Sequence, residues 1–303
     1  MPAMRAVLCV IALLVPAAAG AQAPAPEAMS LAGRPLHAPE AIPNREALER
    51  HLRDAEEAAR TPSADAVIWK GRRQAYLWRY RDAIETFTEG IARYPDDARL
   101  YRHRGHRYIT TRQFAKAQAD LERAAALIAG TADEVEPDGA PNAAGVPRST
   151  LHFNVWYHLG LVHYLQGHYE QALDAYTRCM GVSTNDDAVV ATSDWLWMTL
   201  MRLDRPADAA AVLDRITPTM DVIENGSYHR RLLMYKGVLE PAALLDAADA
   251  DDTTVATQGY GVANYYAVRG DPERARALYE RILRGSGWNA FGYIAAEADL
   301  YRR

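Results

Sequence analysis

The stretch Ala66–Leu127, AVIWKGRRQAYLWRYRDAIETFTEGIARYPDDARLYRHRGHRYITTRQFAKAQADLERAAAL, lies on itself when shifted by 34 residues. Gly71 falls on Gly105, Tyr80 on Phe114, Ala83 on Ala117, Phe87 on Leu121 and Gly90 on Ala124. Two helices can touch closely only where small residues face each other, and large apolar residues then bind the pair to its neighbours. A 34-residue period with small, aromatic, Ala, large apolar and small positions in that order marks a helix–turn–helix repeat. Pro95 stops the second helix of the first unit, and Asp96 and Asp97 offer acceptors to cap the helix that follows.

Further copies follow downstream. The unit beginning near Phe153 places Trp156, Leu159, Gly160, Gly167, Tyr169, Ala172, Leu173 and Tyr176 at the repeat positions. Its W-x2-L-G, G-x-Y and A-L-x2-Y runs resemble the tetratricopeptide repeat. A weaker copy near Ala191 uses Ala207, Ala210, Leu213 and Ile216, with Met198 in place of the first small residue. Another near Ala256 uses Gly270, Ala275, Tyr279 and Ile282, with Ala263 in that place. The resemblance implies an all-α, right-handed superhelix of antiparallel helix pairs over residues 44–303. Repeats are expected near 64–97, 98–129, 153–186, 191–219 and 256–284. Capping helices are expected at 44–60 and 289–302, because terminal repeats lack one neighbour. Met220–Asp251 fits no full repeat and reads as a shortened helical hairpin. Residues 130–150, rich in Pro, Gly and acids, break the period; an insertion of this length is either functional or a tolerated surface loop.

Arg5, the apolar run Ala6–Val15 and the small residues of Pro16–Ala21 read as a secretory signal peptide over 1–21. The expectation is an exported protein, periplasmic or secreted, with a Pro/Ala-rich linker over 22–43 and no stable membrane insertion after cleavage. Cys9 then leaves with the leader, so Cys179 has no intramolecular partner; its repeat position suggests a buried, inert thiol. The formal charge of −5 lacks the basic excess of a general nucleic-acid binder.

The resemblance also implies that the first helix of each repeat lines a concave face. Carried onto this chain, that face takes Trp69, Arg72 and Tyr76 from the first repeat and Arg99, Arg102, His103 and His106 from the second. Asn154, Tyr157 and His158 come from the third, Trp195 from the fourth, and Tyr260 and Asn264 from the fifth. Such a groove is cationic at one end and aromatic along its length. It suits a protein or peptide partner carrying acidic or C-terminal carboxylate groups, since Arg pairs with carboxylates and aromatic rings bury apolar side chains. The expected function is a protein–protein interaction scaffold. In the competing structural reading, Arg72 and Arg102 pair with nearby acids and the aromatics pack between helices. A second functional reading is a small-molecule or metal-binding protein using His103, His106 and His158. The sequence shows no HExxH pair, no G-x-S-x-G elbow and no phosphate-binding P-loop, so no cofactor and no enzymatic activity are expected.

Overall fold

Helices begin where a short polar side chain can accept from the first free amides. Ser63 accepts from the amide of Ala66 at 3.1 Å and opens α2 (Ala64–Tyr76). Asp97 does the same for α4 (Ala98–Thr110), Thr150 for α6 (Leu151–Gln166) and Asn185 for α8 (Asp186–Arg202). Each turns back into a second helix: α3 (Tyr80–Arg93), α5 (Phe114–Leu127), α7 (Tyr169–Val182) and α9 (Pro206–Leu213). This computed structural model describes residues 25–142, 144–246 and 252–302. The expected signal peptide, 1–21, lies outside the described residues.

The hairpin turns share one device. Trp78 (φ 62°), Arg112 (φ 62°), Gly167 (φ 80°), Asp204 (φ 56°) and Gly270 (φ 84°) each occupy the left-handed region between paired helices. Three of the five are not glycine, so the turn is held by the packing around it at a local cost of about 1–2 kcal/mol each. Within the hairpins, a Cβ on Gly71 would lie 2.5 Å from the Phe87 ring, one on Gly160 2.7 Å from Tyr176, and one on Gly105 2.9 Å from Leu121. The periodic small residues therefore mark seats for the large side chains four places after the periodic alanines.

The fold is all-α apart from one short strand pair, with fourteen helices among the described residues. α1 (Arg45–Ala58) packs on α2 at the N-terminal end. The fourth repeat starts earlier than its alanine pattern suggests: α8 begins at Asp186 and is buried continuously from Asp187 to Leu200. Next come α10 (Gly226–Tyr235), the five-residue α11 (Pro241–Leu245), α12 (Asp252–Val268), α13 (Pro272–Ile282) and α14 (Phe291–Tyr301).

Two segments differ from their sequence reading. The stretch read as a linker forms a small antiparallel pair, β1 (Ala28–Met29) with β2 (Pro35–Leu36), registered Ala28 to Leu36. Ala28, Leu36 and Ile42 are buried, and the Glu27 carboxylate accepts from the Arg81 amide at the start of α3, 3.0 Å away. Apolar burial and this cap turn an Ala/Pro-rich segment into a docked strap. The second difference is α14. It packs on α12 and α13 as an end cap would, but it also reaches α6. Arg112, in the turn after α4, meets Glu297 of α14 at 2.8 Å, with both side chains almost fully buried. Trp288, just before α14, sets its ring edge-on to Trp78 and Tyr80 at 5.2 and 5.5 Å. The last helix thus lies across the inner face and ties the end of the chain to its first three hairpins. Among the described residues, no helix is long and apolar enough to cross a membrane.

Candidate binding site

The inner helices α2, α4, α6 and α8, closed by α14, leave a cavity of about 390 Å³. That volume lies in the range of about 300–1,000 Å³ typical of small-ligand pockets. Eight residues of the predicted groove line it: Arg72, Tyr76, Arg102, His103, His106, Asn154, Tyr157 and His158. They converge because they occupy corresponding faces of three successive inner helices.

The other five predicted residues are placed elsewhere. Trp69 and Arg99 border a separate depression beside Arg72. Trp69 stacks under Arg72, whose guanidinium carbon is 4.5 Å from the ring centre, and Arg99 pairs with Asp65 and Asp97, both at 2.6 Å. Trp195, Tyr260 and Asn264 are fully buried, not groove-lining. Trp195 donates to the Tyr157 hydroxyl at 2.8 Å, and Tyr164 bridges the Tyr260 hydroxyl (2.9 Å) and the Asn264 carbonyl (3.2 Å). The physical reason is α14. By filling the inner face over α12, it converts the far end of an open groove into core.

The insertion covers the cationic end. A bridge between Val135 and Thr150 closes it into a loop. Glu136 is buried against Arg102, with Oε2 2.7 Å from Nη2, and the same oxygen accepts from Asn154 at 2.7 Å. Arg72 donates to the Pro137 carbonyl (2.8 Å) and Arg73 to that of Gly139 (2.9 Å). Gly139 sits so near Tyr76 and Arg72 that a Cβ there would collide with both. Arg148 pairs with Asp221 at 2.8 Å and approaches Asp187 at 3.5 Å. Arg102 and Arg72, expected to wait for a partner's carboxylate, are thus engaged by the chain's own insertion.

The three histidines lie together, and their partners fix two tautomers. His158 Nδ1 is 2.6 Å from the Asn154 carbonyl, which can only accept, so Nδ1 carries the proton and Nε2 is an acceptor. His103 Nδ1 is 2.8 Å from Arg102 Nη1, which can only donate, so its proton sits on Nε2. His106 packs against His158 with ring centres 4.4 Å apart. Burial first, then the positive charges of Arg102 and Arg107, lowers the His158 imidazole to about 3; burial likewise holds His103 and His106 well below the ordinary value. All three are neutral at pH 7. Among the described residues no cluster of His, Cys, Asp or Glu is arranged to hold a metal ion. Cys179 is buried, and burial pushes its thiol up to about 12, away from the reactive thiolate.

A pH dependence follows. A histidine neutral in the folded state but protonated when unfolded stabilises fully above about pH 6.5 and is lost as pH falls toward the folded value, at about 1.4 kcal/mol per pH unit. His158→Gln is therefore expected to flatten the fall in thermal midpoint between pH 6.5 and 4. A slope equal to the wild type would mean that His158 is not held neutral.

The predicted set misses several lining residues. Arg107 is one turn beyond His103 on α4, so an i, i+4 step from that histidine would have included it. Its guanidinium lies 5.5 Å from the Tyr80 ring centre, with no carboxylate or hydrogen-bond partner among the described residues. Burial lowers it to about 10, so it stays charged at pH 7. Phe291 arrives on α14 and Tyr228 on α10, where it accepts from the Tyr157 hydroxyl at 3.2 Å. Asp187 closes one wall by accepting the amides of Ile223, Glu224 and Asn225. No local pattern announces these long-range contributions.

Residues 153–180, which span most of α6 and α7, match the family model described as tetratricopeptide repeat. No curated protein matches the chain. Among solved structures, the chain is similar to YrrB, described as a TPR protein with an unusual peptide-binding site. That likeness has 14% identity, covers 78% of this chain and 91% of the other, and has a TM-score of 0.41. It is also similar to the apo form of the quorum sensor NprR from B. thuringiensis, with 14% identity, 80% and 82% coverage and a TM-score of 0.37. The tetratricopeptide repeat match thus falls on one helical hairpin, α6–α7, and further helical hairpins are stacked on either side of it.

Proposed function

We propose that the protein is a binding scaffold that holds a peptide or protein partner at its inner face, taking an acidic side chain or a C-terminal carboxylate into the cavity. One observation carries this reading: the cavity combines a charged, unpaired Arg107 with the aromatic walls of Tyr157, Tyr228 and Phe291. A half-buried cation without a counter-ion attracts an anionic group, and ring faces bury an apolar neighbour.

Fluorescence anisotropy with random hexapeptides, each with a free or an amidated C-terminus, tests it. Free-acid peptides are expected to bind with Kd values of about micromolar order. Ser149→Trp, which plugs the cavity from the insertion without touching a helix core, is expected to abolish that binding. No binding by any peptide, or unchanged binding in the plugged variant, would sink the proposal.

A second reading is favoured by the closure of the inner face: a small molecule, not a chain segment, fills the cavity. If trimming a bound peptide to its last residue leaves Kd unchanged, this second reading replaces the first.

A further inference from the structure

We infer that the cavity admits one anionic group, not two, and that Glu136 sets that number. The inference rests on the binding function proposed above and narrows its ligand to a monoanion with an apolar or aromatic body.

Four guanidinium groups border the cavity: Arg72, Arg102, Arg107 and Arg148. Three have terminal Nη donors engaged, although the Arg102 Nε is buried without a hydrogen-bond partner. Arg148 is paired with Asp221 and lies beside Asp187. Arg72 donates to the Pro137 carbonyl and the Tyr76 hydroxyl, at 2.8 and 3.3 Å. Arg102 turns Nη2 to Glu136 and Nη1 to His103. Only Arg107 of the four has neither an ion pair nor a hydrogen bond among the described residues.

Glu136 is not held loosely. Its amide donates to the Ser149 carbonyl at 3.0 Å, next to the Val135–Thr150 bridge, so the loop closure itself aims the carboxylate. Asn154 of α6 donates to the oxygen that meets Arg102. Both members of the pair are buried, at 8% exposure each. A ligand with one carboxylate can seat on Arg107 and leave this arrangement intact. A ligand with two must displace Glu136 from Arg102, pull Arg72 off the Pro137 carbonyl, or bring its second charge close to Glu136, and each is costly in a low-dielectric cavity. The insertion thus supplies an internal carboxylate where a second acidic group of a partner would otherwise bind.

Three probes that share a phenyl group but carry different charges test the inference: 3-phenylpropionamide (none), 3-phenylpropionate (one) and benzylsuccinate (two). Each is titrated into the full chain at pH 7, with binding followed by NMR. The monoacid is expected to bind about tenfold tighter than the amide, the worth of one charge-assisted contact. Benzylsuccinate is expected to gain nothing over the monoacid. Arg107→Met should erase the preference for acid over amide. Glu136→Gln frees Arg102 and should make benzylsuccinate about tenfold tighter than the monoacid. Because that variant leaves a buried cation unpaired, Arg102→Met/Glu136→Leu serves as a second arm; it removes the pair together and should keep the wild-type preference for one charge. A wild-type protein that binds benzylsuccinate about tenfold better than the monoacid overturns the inference. So does equal binding of acid and amide. If peptides bind while the acid has no advantage, the scaffold reading survives and this inference falls. If neither peptides nor probes bind, both fall.

Discussion

Replacing Asp194 with alanine is expected to cost about 3–5 kcal/mol, which for a chain of this size lowers the thermal midpoint by about 10 °C. Asp194 on α8 and Arg231 on α10 form an ion pair at 2.8 Å with no exposed side-chain surface. Arg231 is enclosed by three rings, those of Trp195, Tyr228 and Tyr260, and fits only because Gly261 of α12 has no side chain to meet it. Burial pushes the Asp194 carboxyl up to about 7, while the neighbouring Arg231 opposes that rise. Once the aspartate is removed, the guanidinium keeps long bonds to the Tyr235 hydroxyl and the Thr257 carbonyl, both 3.3 Å, but no counter-ion. The paired replacement Asp194→Leu/Arg231→Met removes both charges and is expected to stay within about 1 kcal/mol of the wild type. Thermal unfolding of the three proteins decides the matter. A loss below about 1 kcal/mol for the alanine variant would mean that Arg231 finds another partner. The effect should also reach the cavity, because the Arg231 guanidinium stacks on Tyr228, which forms part of its wall.

The second large effect is expected at Gly292, in the first turn of α14. A Cβ there would collide with the carbonyl oxygen of Ala256, come within 2.8 Å of its carbon and lie 3.0 Å from the Thr257 Cα. These are backbone atoms of α12, so no side chain can swing aside to make room. Gly292→Val is expected to push α14 off α12 at a cost of about 3 kcal/mol or more, the upper range for overpacking. Amide hydrogen exchange in residues 291–301 should quicken, and the cavity should lose its Phe291 wall and its affinity for ligand. If α14 keeps its protection, the close approach is not what seats that helix.

The parts of the fold that a sequence can show are those encoded by short-range spacing. The Gly71/Gly105 and Phe87/Leu121 pairs are visible because each helical hairpin repeats the same contact one period later. Arg102, His103, Asn154 and Tyr157 line one cavity for the same reason, since equivalent positions of stacked hairpins share a face. The closure of the concave face is not visible in the same way. Nothing near Trp195, Tyr260 or Asn264 says that a helix from the end of the chain will cover them, because Phe291 and Glu297 act over distances in sequence that no periodicity spans. The same limit applies to residues 130–150. Their composition marks a loop, but the burial of Glu136 depends on Arg102, which belongs to a different repeat. Arg231 was hidden for another reason: an arginine in an amphipathic helix reads as solvated, and only Asp194 on α8 makes its burial tolerable.

The Arg112–Glu297 pair joins positions 185 residues apart. In an open array of hairpins each unit answers only to its neighbours, and unfolding can travel inward from a loose end. Here the turn of the second hairpin depends on the last helix. During synthesis, Arg112 and the Trp78–Tyr80 surface lack these partners until residues 288–297 have been made. The hairpins are therefore fastened as by a clasp, and a nick between α13 and α14 is felt at the second hairpin.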